Sequence, residues 1–225
     1  MQLDLPRIQA LCFDVDGTLN DTDDQFIEQA LPFFKAVRYL LPMQDYQRAA
    51  RRFVMWAEAP GNILLGVPDR LGFDNQLAGL ASWISQNHKA HIRHFRPIPG
   101  VRDMLIRLHA HYPLSVVSAR DETTTREFLR QVEIEDLFTC VAGALTVKHT
   151  KPYPDPIYWA AQQMGVSPAN CLMIGDTTVD IRAGKAAGAQ TVGVLCGFGE
   201  EQELLTRGAD LILEATPLLT DILLG

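Results

Sequence analysis

LCFDVDGTLN, residues 11–20, is an apolar run that stops abruptly at two acids, a glycine and a threonine. The run from Ile8 to Phe13 reads as a buried parallel strand whose C-terminal end opens into a turn at Asp14-Val15-Asp16-Gly17-Thr18. In open α/β sheets, ligands bind beyond the carboxyl ends of the strands. Two acids one residue apart repel, and burying both without a partner costs several kcal/mol, so a nearby cation is expected. A hard divalent ion such as Mg²⁺ suits oxygen ligands. Gly17 lets the backbone turn sharply, and Thr18 offers a hydroxyl and an N–H to an anion. The same residues also read as a strand ending in an ordinary polar turn, and this stretch alone leaves both readings open.

Composition narrows the class. The chain has 225 residues, enough for one large domain or a domain with an insert. It is 47% hydrophobic and 21% charged, which supplies a core and argues against disorder. A net charge of −7 disfavours nucleic acid as a partner. Residues 20–97 sum to +1, so the negative charge lies elsewhere, an arrangement that suits an anion held between two parts. Cys12, Cys140, Cys171 and Cys196 sit in or beside apolar runs without a CxxC, as expected of buried free thiols in a cytoplasmic protein. The start, MQLDLPRIQA, does not read as a signal peptide, and no apolar run approaches a membrane span.

Along the chain, helical spacing resumes from Phe26 and runs to Leu41, interrupted at Pro32; a second helix is expected over Asp45–Glu58 and a third over Asn75–Phe95. With no strand between them, residues 20–97 form an inserted helical module. Strands and helices then alternate. Strands are expected at Leu114–Ser118, Phe138–Ala142, Cys171–Gly175, Thr191–Leu195 and Ala209–Leu213. Helices are expected at Val101–His111, Asp121–Val132, Tyr153–Met164, Thr178–Ala187, Glu200–Arg207 and Pro217–Leu223. That alternation predicts a doubly wound parallel sheet of Rossmann-like type, covered on both faces.

Three later stretches repeat the chemistry of the first. LSVVS ends in Ser118 before a helix, where a hydroxyl can meet an anion or simply cap the helix. Lys151-Pro152 stands at the entry to another helix and can place an ammonium on a phosphate or remain solvated. CLMIGDTTVD is again an apolar strand followed by an acid, Asp176, with Asp180 one helical turn on. These two can ligate a metal or hold its water; the alternative is an N-cap and an exposed helix acid.

Taken together, DxDGT, a strand-ending Ser, Lys-Pro and GDxxxD resemble the haloacid dehalogenase-like (HAD) hydrolase superfamily across nearly the whole chain. The run Gly184–Ala189, with Thr191–Leu195 and Ala209-Asp210, resembles its phosphoglycolate phosphatase-like branch. The resemblance implies a HAD core at 1–19 and 98–225, with a helical cap domain at 20–97. It implies that Asp14 is the nucleophile, forming an aspartyl-phosphate, and that Asp16 is general acid and then base. It implies Mg²⁺ held by Asp14, the Asp16 carbonyl and Asp176, with Asp180 in support. Ser118, Lys151 and the N–H groups of Val15, Asp16 and Ala119 would meet the phosphoryl group. Aspartate at position 16 points to a phosphate ester, since dehalogenase members resemble DxY here. Ala119-Arg120 departs from a common Asn after the Ser; Arg120 is read as a substrate contact, a solvated side chain or a helix-end salt bridge.

The implied function is Mg²⁺-dependent hydrolysis of a small phosphorylated metabolite, such as phosphoglycolate, a sugar phosphate or a nucleotide monophosphate, by a cytoplasmic monomer or homodimer with no nucleic-acid or membrane partner. The rivals are a β-phosphoglucomutase-like phosphomutase and a non-catalytic binding or regulatory member. In the cap, Arg48, Arg51 and Arg52 share about one helical face and suit either an anionic substrate or solvent. Gly61–Arg70 reads as a specificity loop or a connector. His88, His91 and His94 drift around a helix and do not predict zinc. Trp56, Trp83 and Trp159 read as core residues.

Overall fold

The computed structural model describes residues 3–21 and 95–225. Most of the expected insert lies outside them, including Arg48, Arg51, Arg52, the glycine-rich stretch, the three histidines, Trp56 and Trp83.

Six parallel strands form one sheet: β1 (Ala10–Phe13), β2 (Leu114–Val117), β3 (Cys140–Ala142), β4 (Cys171–Gly175), β5 (Gln190–Val194) and β6 (Leu211–Leu213). Their order is β3-β2-β1-β4-β5-β6. Among the described residues six helices accompany them: α1 (Val101–His109), α2 (Glu122–Gln131), α3 (Asp155–Met164), α4 (Thr178–Ala187), α5 (Glu201–Thr206) and α6 (Leu219–Leu224). This is the doubly wound arrangement expected from the alternating pattern. The strand order reverses direction between β1 and β4, and the crevice for a ligand lies at such a reversal.

The two faces of the sheet differ in side-chain size because strand side chains alternate. Leu11 and Phe13 of β1, Leu114 and Val116 of β2, and Leu172 and Ile174 of β4 pack with Val101, Leu105 and Leu108 of α1, Phe128 and Leu129 of α2, and Leu219 of α6. On the opposite face, Ala10, Cys12, Cys171 and Met173 meet Ile157, Ala160 and Ala161 of α3 and Ala183 of α4. Small residues there let α3 and α4 lie close to the sheet. At Gly184 even a Cβ would collide with the Thr191 side chain.

Several ends move from their expected places. β2 stops at Val117, leaving Ser118 in the loop beyond. β3 begins at Cys140 because Phe138 closes a 3₁₀ turn with Glu135. α3 begins at Asp155; Pro156 sits in its first turn, where a missing N–H costs nothing. The last helix is split, a 3₁₀ turn at Thr216–Leu218 leading into α6. Cys12, Cys140 and Cys171 are strand thiols, whereas Cys196 lies past β5 with its sulfur 3.3 Å from the Gly17 carbonyl; all four are free. Trp159 is partly buried against the small-residue face.

The residues flanking the expected insert meet. Asn20 and Pro97 pair as an antiparallel bridge. The Asp21 N–H donates to the Arg96 carbonyl at 2.7 Å, and the Ile98 N–H to the Leu19 carbonyl at 3.0 Å. The Asn20 side chain accepts from the Arg96 N–H at 2.9 Å. The chain therefore leaves and rejoins this core at one point, just beyond the C-terminal end of β1. Among the described residues, no helix is long and apolar enough to cross a membrane.

Candidate active site

Register assembles the site. Phe13 is paired with Val116 of β2 and with Ile174 of β4. Asp14, Ser118 and Asp176 each follow the ends of these three adjacent strands, so they emerge together at the reversal of strand order. Residues more than 150 positions apart in sequence become neighbours because three short apolar strands stop at the same level.

Lys151 joins two of the acids. Its ammonium donates to Asp14 Oδ1 and to Asp180 Oδ1, each at 2.6 Å, and the side chain is 2% exposed. Burial pushes the Asp14 carboxyl from 3.8 up to about 7; Lys151 pulls it down, while Asp180 and Asp16 push it up. Burial also opposes the Lys151 ammonium, but the charges of Asp14 and Asp180 outweigh that and hold it above its ordinary value.

Asp180 is fully buried, not an exposed helix acid. Its second oxygen accepts from the Thr177 N–H at 3.0 Å and hydroxyl at 2.6 Å, closing a capping box at the start of α4. The cap of this helix is thus Thr177, not Asp176. The pattern Thr177-x-x-Asp180 carries that signal in the sequence.

Asp176 is fully buried as well. Its Oδ2 accepts from the Phe198 N–H at 2.7 Å, and its Oδ1 lies 3.5 Å from the Thr18 hydroxyl. Thr18 was expected to face an anion; instead its hydroxyl is turned to this carboxylate, because the tight turn folds residue 18 back beneath the strand ends. A Cβ at Gly17 or Gly197 would run into the Asp176 carboxylate, and Gly17 has φ +71°. Close backbone packing on both sides therefore holds Asp176 in place.

Oxygens of Asp14, Asp176 and Asp180 lie within 4.8 Å of one another. With Asp16 added, four acids and two cations, Lys151 and Arg120, meet here among the described residues. Buried carboxylates with this excess negative charge fit a hard divalent cation held by oxygen, as Mg²⁺ is.

Ser118 is 3% exposed; its hydroxyl accepts from the Arg120 N–H at 3.1 Å, and its own N–H donates to the Ala142 carbonyl at 2.9 Å. Asp121, as expected, caps α2, accepting from the Thr124 N–H at 3.0 Å. Among the described residues, the N–H groups of Val15, Asp16 and Ala119 make no backbone hydrogen bond. They are available to an anion at the strand ends.

Arg120 is neither solvated nor at a helix-end salt bridge. Its Nε and Nη2 donate to the two oxygens of the Asp16 carboxylate, with both side chains 14% exposed. The guanidinium lies 5.7 Å from the centre of the Phe95 ring, which itself packs edge-on against Phe128 at 5.4 Å. The sequence offered a basic residue two positions past the strand-ending Ser, but no local signal that it reaches back to Asp16.

The run at Gly184–Ala189 and the late Asp210 serve packing. Lys185 donates to both oxygens of Asp210 at 2.6 Å, and Asp210 accepts from the Thr191 N–H at 2.9 Å, tying α4 to β5 and β6.

Comparison with known proteins agrees with this geometry. The family described as haloacid dehalogenase-like hydrolase matches residues 11–194. A phosphoglycolate phosphatase from Neisseria gonorrhoeae is 30% identical over 96% of this chain and 94% of its own length. A pyrophosphatase, PpaX, from Anoxybacillus flavithermus is 29% identical over 96% of this chain and 97% of its own. A solved haloacid dehalogenase-like family hydrolase from Streptococcus pneumoniae superposes with TM-score 0.71 at 25% identity, covering 98% of this chain and all of the other.

Proposed function

Because the chain belongs to the haloacid dehalogenase-like hydrolases, we propose that it hydrolyses a small phosphate monoester through an aspartyl-phosphate on Asp14. The observation that carries this reading is the buried Asp14–Lys151–Asp180 chain beside Asp176 at the reversal of strand order. Phosphatases acting on phosphoglycolate and on pyrophosphate are among the relatives, so small anionic phosphate compounds are the first candidates. The mutase and non-catalytic readings have no observation of their own here.

In this reading the Asp14 carboxylate attacks phosphorus, the bond from phosphorus to the leaving oxygen breaks, and Asp16 gives that oxygen a proton. Asp16 then takes a proton from water, whose oxygen attacks the same phosphorus and releases Asp14. Lys151 holds one Asp14 oxygen, orients the other, and offsets charge on the phosphoryl oxygens. The N–H groups of Val15, Asp16 and Ala119, with the Ser118 hydroxyl, receive those oxygens. Asp14, the Asp16 carbonyl and Asp176 would hold Mg²⁺, with Asp180 in support; bound there, the ion offsets the repulsion between carboxylate and phosphate. Residues 20–97 would be the cap over this site, consistent with the single crossing at Asn20 and Pro97.

The test is phosphate release from a panel containing phosphoglycolate, sugar phosphates, nucleotide monophosphates and pyrophosphate, with Asp14→Asn in parallel. Release that needs Mg²⁺ and disappears in the variant supports the reading. Release that survives in Asp14→Asn rejects Asp14 as nucleophile.

A further inference from the structure

We infer that Arg120 is a specificity-determining residue that reads a negative charge on the leaving group of the substrate, exchanging its partner Asp16 for that charge. The inference rests on the phosphatase reading above and names the substrate class for the same site: phosphate compounds whose departing half is itself an anion.

Arg120 presents Nε and Nη2 to the two oxygens of Asp16. Its remaining nitrogen, Nη1, is buried and has no hydrogen-bond partner among the described residues. A buried donor left unmade is costly, and native structures hold few of them. Arginine is the side chain suited to flat, two-point recognition of a carboxylate or phosphate, and here part of that fork is unused.

Position supplies the second part. The guanidinium is held by two contacts, the Asp16 carboxylate and the Phe95 ring, and the Ser118 hydroxyl holds the backbone N–H of the same residue. Asp16 is the residue assigned to protonate the leaving oxygen, so a group bonded to that oxygen arrives beside Arg120. Ala119, next to Arg120, is exposed and carries only a methyl side chain. Arg120 thus pairs with the acid on the leaving-group side of the reaction, whereas Lys151 pairs with the acid on the nucleophile side.

The pairing also has a consequence for sequence of events. While the fork is closed on Asp16, that carboxylate is engaged away from the leaving oxygen. A substrate anion that takes the guanidinium releases Asp16 to face the reacting oxygens. An ester whose leaving alcohol is uncharged has nothing to exchange, so it binds beside a closed pair. Discrimination arises from the same contact that frees the proton donor. Phe95 stands immediately before the crossing at Arg96 and Pro97, so the position of the fork is set at the point where the insert rejoins the core.

The experiment compares phosphoglycolate with the phosphate ester of glycolamide, which replaces the leaving-group carboxylate by a neutral amide of similar size. Steady-state kinetics are measured in Mg²⁺ for the full-length wild-type chain and for Arg120→Met, Arg120→Gln and Arg120→Lys. Wild type is expected to favour the carboxylate ester by about tenfold or more in kcat/KM, the size of a charge-assisted hydrogen bond. Arg120→Met is expected to bring that ratio to within about twofold, with most of the change in KM for the carboxylate ester; Arg120→Lys retains part of it. Arg120→Gln keeps donors without charge, and its ratio also collapses, which covers the case in which the Met variant does not fold. A wild-type ratio near one, or a ratio retained in Arg120→Met and Arg120→Gln, overturns the inference while leaving the phosphatase reading intact. Hydrolysis by the wild type of esters with an uncharged leaving alcohol but not of phosphoglycolate overturns the inference alone; phosphate release from no member of the panel overturns the phosphatase reading, and the inference with it.

Discussion

Replacing Lys151 by methionine separates the electrostatic role of this lysine from its volume. In the native chain its ammonium lies 2.6 Å from Asp14 and 2.6 Å from Asp180, with 2% of the side chain exposed. Methionine fills similar space but leaves two buried carboxylates facing each other without a cation. Removing one partner of a buried ion pair costs roughly 3–5 kcal/mol, most of it the cost of the abandoned charge. For a protein of this size that corresponds to a fall of about 10 °C in Tm. The penalty is expected in full at pH 8 in chelator. Mg²⁺ shrinks it, since a divalent ion among Asp14, Asp176 and Asp180 replaces the missing positive charge. Lowering the pH also shrinks it, because Asp14, already pushed up to about 7 by burial, then takes a proton. Urea unfolding followed by circular dichroism, with and without Mg²⁺, reads all three effects. A deficit below about 1 kcal/mol in chelator at pH 8, or one that Mg²⁺ leaves unaltered, refutes the account of Lys151 as the cation of a buried acid cluster.

Other expectations follow from neighbouring contacts. In the metal-free wild type, Asp14 is held above its unfolded value of 3.8 at about 7. The native state thus keeps a proton that the unfolded chain has already lost; this contribution is full below pH 4 and disappears as pH rises through 7, so Tm should fall over that window. Asp14→Asn should lack that slope, and Tm against pH in chelator for the two proteins checks it. Gly17→Ala places a Cβ against the Asp176 carboxylate at φ +71°; Mg²⁺ affinity by calorimetry should fall at least about tenfold, with about 1–2 kcal/mol of stability lost to the backbone alone. Thr177→Val removes both the helix cap and a hydroxyl partner of Asp180 and should cost about 1–2 kcal/mol in urea unfolding. Asp121→Ala removes the cap of α2, with its bonds to the Thr124 N–H and hydroxyl; it should cost about 1 kcal/mol and leave kcat/KM within twofold.

What the sequence determined by itself was the sheet, the order of its elements and the acids that stand at the strand ends. Apolar runs of four to six residues ended by Asp14, Ser118 and Asp176 are visible locally, and a parallel sheet has few ways to use them. α4 and β4 keep their expected bounds, because a capping box, a glycine and a dense apolar run are all local signals. The partners of charged side chains were not legible. Whether Asp180 faces solvent or Lys151, and whether Arg120 is hydrated or clamps Asp16, depends on strands that meet only after folding. Lys151 and Asp14 are 137 residues apart, and Arg120 and Asp16 are 104 apart. Thr18 likewise met Asp176 rather than an anion, because the level at which β4 ends and the close approach of Gly17 and Gly197 place that carboxylate beneath it. Residue type and spacing decide which groups reach the strand ends; only the packed sheet, by excluding water and setting register, decides which charge each of them answers.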